Sequence, residues 1–309
     1  MKKYRRVSRR RIKKCIPLYL MMSLSLLYFF INNYIPMAGL VIAFKKIDYR
    51  IGILKSPFIG LENFKYLFAT DDVWIITRNT ICYNAAFIVV NTALAVILAI
   101  FLNEVRSKMR RSFFQSAVLL PYLISMIIIS YIANAFLHSD YGLLNRMILP
   151  LLGADKVSWY MDVDKWPWIL TFVNAWKNVG YLSIIYYSAV IGIDKQLIEA
   201  AAIDGASKLK QIRHITLPLI KPVIITMVLL AVGRIFYSDF GLFYHVPMNT
   251  GILYPATNVI DTYVYRGLMQ LGNVGMSSAA GLYQSIVGFI LVLASNFAVR
   301  KISPENALF

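Results

Sequence analysis

Few residues in this 309-residue chain have the types and spacing that catalysis needs. His138, His214 and His245 stand far apart with no HExxH between them, and Cys15 and Cys82 form no CxxC, so neither a catalytic metal nor a disulfide framework is indicated. Asp162 and Asp164 are the nearest approach to a carboxylate pair, but no further acids gather with them as acid–base chemistry at a membrane face requires. The informative residues are polar and charged groups set inside long apolar runs, where charge is costly and usually functional. Asn174, Lys177, Asn178 and Tyr181 follow the i, i+3, i+4, i+7 rule and form one stripe of a helix. Arg234, Tyr237 and Ser238 share a face of the next run, and Lys177 and Arg234 both fall near mid-depth at a rise of about 1.5 Å per residue. Amides and cations suit sugar hydroxyls and acidic groups, and aromatic faces suit sugar rings, so the stripe reads as a lining for a hydroxylated solute. The plainer readings stand beside it: intramembrane Asn and Ser often only join helices, and Lys can snorkel. Asn84 and Asn91, seven apart, read as helix contacts, while Asn134 stays open between contact and cavity.

The elements that must position these groups are membrane helices. Hydrophobic residues make up 59% of the chain and charged ones 15%, too apolar for a soluble surface. A span needs about 20 apolar residues, and six runs reach that order: roughly 17–42, 79–103, 113–137, 166–193, 222–240 and 278–299. The first is too long and lacks the cleavage site of a secretory signal, so it reads as a retained span. Continuous runs rather than alternating ten-residue segments favour helices, and the expected class is all-α and polytopic. The net charge of +17 is concentrated in the first 15 residues, in Glu104–Arg111, in the loop 194–221 and in Arg300–Lys301. Those segments share one face of a six-span chain, which places both termini in the cytoplasm and explains the basic excess without nucleic acid. A short helix is expected around Asn258–Met269.

The loop 194–221 is the longest on the charged face. Asp194 can cap a helix, "KQLIEAAAI" is rich in helix formers, and Asp204-Gly205 signals a reversal before a second short helix, "SKLKQIRHI", which Pro218 is expected to stop. A solvated loop does not need Ala200, Ala201 and Ala202 in a row; small side chains allow close approach of another backbone, either within an interfacial packing or in a docking element. Glu199-Ala200-Ala201, Asp204-Gly205-Ala206, then Ile215 and Leu217-Pro218 resemble the EAA signature of ATP-binding-cassette importer permeases, with Ile212 standing where an aromatic often sits. "IPMAGLVIAFKKID" (35–48), "GLENFKYLF" (60–68), "TNVIDTYVYR" (257–266) and "AAGLYQSIVG" (279–288) are similar to the carbohydrate branch of that family, in the form seen for polysaccharides and complex oligosaccharides.

The resemblance covers nearly the whole chain and implies a type I importer permease fold. Residues 1–15 would be a basic cytoplasmic N-terminus, 16–73 the first span and an outer loop, 74–299 the transport core, and 300–309 a cytoplasmic tail. It further implies a second permease subunit, two ATPase subunits that bind ATP and magnesium, an extracellular solute-binding protein and an oligosaccharide cargo. No cofactor is expected in this chain, and no GxxxxGK phosphate loop occurs in it. Glu199, Ala200, Ala201, Asp204, Gly205 and Ala206 would carry the contact to the ATPase. The expected pathway residues are Asn134, Asn174, Lys177, Asn178, Tyr181, Arg234 and Tyr237. A permease for amino acids, phosphonates or peptides is the nearest alternative; a membrane glycan-processing enzyme or a stand-alone secondary transporter would leave the alanine-rich loop without a purpose.

Overall fold

The computed structural model describes residues 9–302, so Met1–Ser8 and 303–309, with most of the basic N-terminus and of the tail, lie outside the described residues. Eleven helices organise the chain in the description used below. Helix α1 (Arg9–Phe29) continues through a wide turn at Phe30–Tyr34 and a tight one at Ala38–Phe44. It is followed by α2 (Glu62–Ala69), α3 (Asp72–Glu104), α4 (Lys108–Leu123) and α5 (Met126–Leu137). Then come α6 (Trp166–Ile191), α7 (Lys195–Ile203), α8 (Lys208–Val232), α9 (Phe240–His245), α10 (Ile260–Met269) and α11 (Val274–Ile302).

Length and apolarity identify four helices able to cross a bilayer, Ile16–Phe44, Asp72–Glu104, Lys208–Val232 and Val274–Lys301, with α4 and α5 together as a fifth if that bent pair is one span. Among the described residues length and apolarity thus mark four or five spans rather than six. The expected fourth span, α6, is long enough at 26 residues but carries Asn, Lys, Gly, Ser and six Tyr or Trp side chains along its length. It packs along α3 and α4, burying Asn174, Gly180, Ser183 and Tyr186, and its α3 contact is the most extensive among the described residues.

The third span differs from expectation in shape. It is not one straight helix over 113–137 but two, bent by 95°. Pro121 withdraws a backbone donor from the last turn of α4, Ile124 turns extended, and the Ser125 side chain accepts from the Ile128 N–H to start α5. The fifth span also departs from its expected bounds. It starts at Lys208 rather than Pro222, and Pro218 does not stop it. A proline ring collides with the carbonyl four residues back, and here the preceding turn is widened: at Ile212–Thr216 the Leu217 N–H reaches the Ile212 carbonyl, five residues back. The same device precedes Pro36 and Pro150, where Ile35 and Leu149 donate to Phe30 and Leu144. At its far end α8 stops at Val232, so Arg234, Tyr237 and Ser238 lie on non-helical backbone rather than on one helix face. The short helix expected at 258–269 is α10.

Two apolar clusters bracket the middle of the bundle. One gathers Phe87, Ile129, Trp166, Leu170 and Phe243; the other gathers Ala95, Ala99, Leu102, Tyr186 and Ile220. Between the clusters α3 carries Asn91 and Thr92, and α6 carries Asn174, Lys177, Asn178 and Ser183. Close approach of α6 to α4 is set by Gly180, where an added Cβ would fall 1.7 Å from the Val118 carbonyl oxygen. We expect Gly180→Ala to push these helices apart and to lower stability in detergent by about 3 kcal/mol, the upper range for overpacking, read by thermal unfolding. Gly281→Ala, where an added Cβ meets nothing within 4 Å, should stay within about 0.5 kcal/mol of the parent.

Candidate functional site: a polar cavity and an exposed helix

The polar belt between the clusters opens into a cavity of about 530 Å³, within the size range of small-molecule sites. Helix α3 contributes Asn84, Asn91 and Thr92, α6 contributes Asn174, Asn178 and Tyr181, and the chain beyond α8 contributes Arg234, Tyr237 and Asp239. Three of the four stripe residues of α6 thus face it, along with Arg234 and Tyr237. Tyr122, unforeseen in the sequence, lies in the wall with its ring stacked on Tyr181 at 4.5 Å and 10°. The cavity wall is partly fixed by its own amides: Asn91 donates to the Asn174 side-chain oxygen at 2.8 Å, and Asn178 donates to the Asn174 carbonyl at 2.9 Å. The reading of Asn91 as a helix contact holds, yet it also lines the cavity, and its own side-chain oxygen is buried with no partner.

Lys177 has a different place from its stripe neighbours. Its ammonium does not line the cavity; it donates to the carbonyls of Tyr122 at 3.2 Å and Ile124 at 2.5 Å, across the break between α4 and α5. A cation at the C-terminal end of α4 satisfies carbonyls that the bend leaves open and complements the helix dipole. Asn134 is also away from the cavity, donating to the Met248 sulfur at 3.2 Å.

The irregular backbone between α8 and α10 is held by side chains from the long helices. Asn84 donates to the Ile235 carbonyl at 2.9 Å and Gln284 to the Phe236 carbonyl at 2.9 Å. Asp261 accepts from the Ser238 N–H at 2.8 Å, Asn79 donates to Pro255 and Asn258, and Tyr83 to Ala256. Arg266 is 8% exposed, and no described carboxylate lies within ion-pair distance of it. It donates to the Asn258, Asn249 and Thr262 side chains and lies 4.0 Å from the Tyr254 ring centre. Asn63, within "GLENFKYLF", donates to the Ala43 and Lys45 carbonyls and ties the first span to the rest. In the loop before α6 the Lys165 ammonium, hydrogen-bonded to Asp162, holds that carboxyl below the ordinary carboxylate range, which unfits it as a general acid.

At the charged end of the bundle, α7 has no buried residue, and Ile203 is 87% exposed. Asp194 caps it by accepting from the Gln196 N–H at 3.0 Å. Its other end is a Schellman closure: Gly205, at φ 78°, donates to Ala202, and Ala206 donates to Ala201. The Asp-Gly-Ala step therefore ends the helix with its carbonyls satisfied and turns the chain into α8. Gln211 then holds the Ala206 carbonyl at 3.0 Å, and Lys208 pairs with Glu104 at 3.3 Å, an exposed pair of small energetic weight. Glu199, Ala200, Asp204 and Gly205 are exposed, whereas Ala201 and Ala206 are partly covered.

Removing the tie across the α4–α5 break should be costly. We expect Lys177→Met to leave two carbonyls unpaired and to destabilise the protein by about 2 kcal/mol, with faster amide exchange around residues 122–128. Lys177→Arg should retain most of the protection, and equal exchange in parent and Lys177→Met would show that the tie is not formed.

The arrangement can now be set against known proteins. The family model described as "Binding-protein-dependent transport system inner membrane component" matches residues 91–304. The polygalacturonan/rhamnogalacturonan transport system permease protein YteP of Bacillus subtilis (strain 168) is 33% identical over 294 residues, covering 94% of this chain and 89% of that protein. The trehalose/maltose transport system permease protein MalF of Thermococcus litoralis is 29% identical over 251 residues, 81% of each. A crystal structure of a bacterial ABC transporter involved in the import of the acidic polysaccharide alginate contains a chain that superposes with a TM-score of 0.86 at 31% identity, over 95% of this chain and 98% of that one. Family model, relatives and fold agree, and the chain belongs to the inner membrane components of binding-protein-dependent transport systems, as a permease subunit of an ATP-binding-cassette transporter.

Proposed function

We propose that this chain forms one half of the membrane pathway of an importer for oligosaccharides, paired with a second permease subunit. The observation that carries the reading is the cavity of about 530 Å³ midway along α3 and α6, walled by amides and by the Tyr122–Tyr181 stack. Amide donors match sugar hydroxyls, and flat aromatic faces match sugar rings. The relatives named for polygalacturonan, for trehalose and maltose, and for alginate support a glycan over an amino acid or peptide. An extracellular solute-binding protein delivers the cargo, and two partner ATPases bind ATP and magnesium and supply the energy; this chain itself does not hydrolyse ATP. The charged end of the bundle, with both termini, lies in the cytoplasm.

In this reading α7 is the coupling helix. The helix, with Glu199, Ala200 and Ala201 and the Asp204-Gly205-Ala206 closure, seats in a groove of the ATPase. Glu199 and Asp204 take charge-assisted hydrogen bonds there, and the small side chains let the two backbones approach. Three residues separate α6 from α7 and four separate α7 from α8, so a displacement of α7 is passed to two helices that wall the cavity.

The test is uptake of labelled oligosaccharides by a strain lacking the chain and complemented with variants. The parent chain should restore uptake. Ala201→Arg should reach the membrane and assemble, yet leave uptake at the level of the deletion strain while the ATPases still hydrolyse ATP. Parental uptake by Ala201→Arg would remove α7 as the coupling element, and failure of the parent chain to move any oligosaccharide would remove the cargo assignment.

A further inference from the structure

Arg234 is the basic side chain of the cavity wall, and its position raises a question of charge. It is exposed to the cavity, no described carboxylate lies within ion-pair distance of it, and no described group hydrogen-bonds its guanidinium. Lys177, one turn from the other wall residues, is turned away onto the carbonyls of Tyr122 and Ile124. The acid of the wall, Asp239, has an oxygen engaged in capping α9 through the Leu242 N–H at 3.2 Å. A guanidinium in a cavity wall with no ion partner calls for an anion, and its planar fork fits a carboxylate with two parallel hydrogen bonds. Nor is Arg234 loosely placed. The backbone that follows it is fixed by Asn84 on the Ile235 carbonyl and Gln284 on the Phe236 carbonyl.

The rest of the wall specifies what carries that anion. Tyr122 and Tyr181 offer flat apolar faces, and Asn178 and Tyr237 offer further polar contacts. One free cation beside an acid suits a monoanion and disfavours a dianionic phosphate. Resting on the reading of this cavity as the pathway, we propose that Arg234 reads a carboxylate in transit and that the cargo is an acidic oligosaccharide containing uronic acid residues.

The experiment uses the assembled importer, both permeases with their ATPases, in lipid nanodiscs without the binding protein. Equilibrium titrations with trigalacturonate and with its fully methyl-esterified form differ only in charge on the same sugar frame. The parent complex should prefer the acid by about tenfold, the scale of one charge-assisted contact in a hydrated cavity. Arg234→Gln should erase that preference by weakening the acid alone, its unchanged ester affinity showing that the cavity is intact. Arg234→Lys, which keeps charge but loses the fork, should fall between the two. Equal loss for acid and ester in Arg234→Gln would mean that Arg234 only balances Asp239, and would overturn the proposal. So would an acid preference that survives Arg234→Gln, or a parent complex that shows none. These outcomes are separate from the uptake assay, which tests oligosaccharide import whatever the cargo's charge.

Discussion

A backbone carbonyl or amide that leaves a helix inside hydrocarbon has no water to turn to, and an unpaired one costs several kcal/mol by order of magnitude. This chain leaves helical geometry near 124–125, at 233–239 and again before α10, all within the bundle. Each departure is answered by a side chain from a neighbouring helix. Lys177 takes the carbonyls of the first. Asn84, Asp261 and Gln284 hold the second, and Asn79, Tyr83 and the capping Thr262 hold the third. The polar residues scattered through the apolar runs are thus mostly partners of irregular backbone. The cavity exists because that backbone is tolerated; with straight helices in its place, apolar side chains would close the gap.

The bundle divides into a stiff pair and a re-shaped rim. Helices α3 and α6 pack along their length, joined in the middle by Asn91 and Asn174, and Gly180 brings α6 against the backbone of α4. Helix α7 hangs from this body by short links, with its caps complete and its sides bare. A helix with satisfied ends and no buried face keeps its shape without neighbours to hold it. That geometry suits a part that must enter a foreign surface without refolding.

Much of this was readable from residues. Apolar runs located the long helices, Asp194 and Gly205 marked the ends of α7, and the spacing of Asn174, Asn178 and Tyr181 placed them on one wall. Lys177 obeyed the same spacing and still went elsewhere, because a four-carbon stem reaches carbonyls that only the fold brings near. The third span read as continuous because its apolar composition runs unbroken through the bend; Pro121 and Ser125 were the signals, and each alone is common inside membrane helices. Pro218 misled in the opposite direction, since a widened turn relieves its clash and no residue type announces such a turn. Arg234 was placed in a helix that in fact ends at Val232, where Gly233 gives only a weak stop. The stretches "GLENFKYLF", "TNVIDTYVYR" and "AAGLYQSIVG" were recognisable by resemblance, but their physical content appears only in the fold: Asn63 and Gln284 hold distant backbone carbonyls, and Arg266 gathers the side chains of Asn249, Asn258 and Thr262.

The walls supplied by α3 and α6 are locked to one another, whereas the wall carrying Arg234 and Tyr237 is a short non-helical strip pinned by Asn84, Asp261 and Gln284. A lineage that adapts this bore to a thicker or differently decorated chain would find two sides immovable and one side cheap to redraw. Diversification of cargo should accumulate along that strip and its three pins, while the helices opposite stay constant as the gauge against which each new cargo is measured.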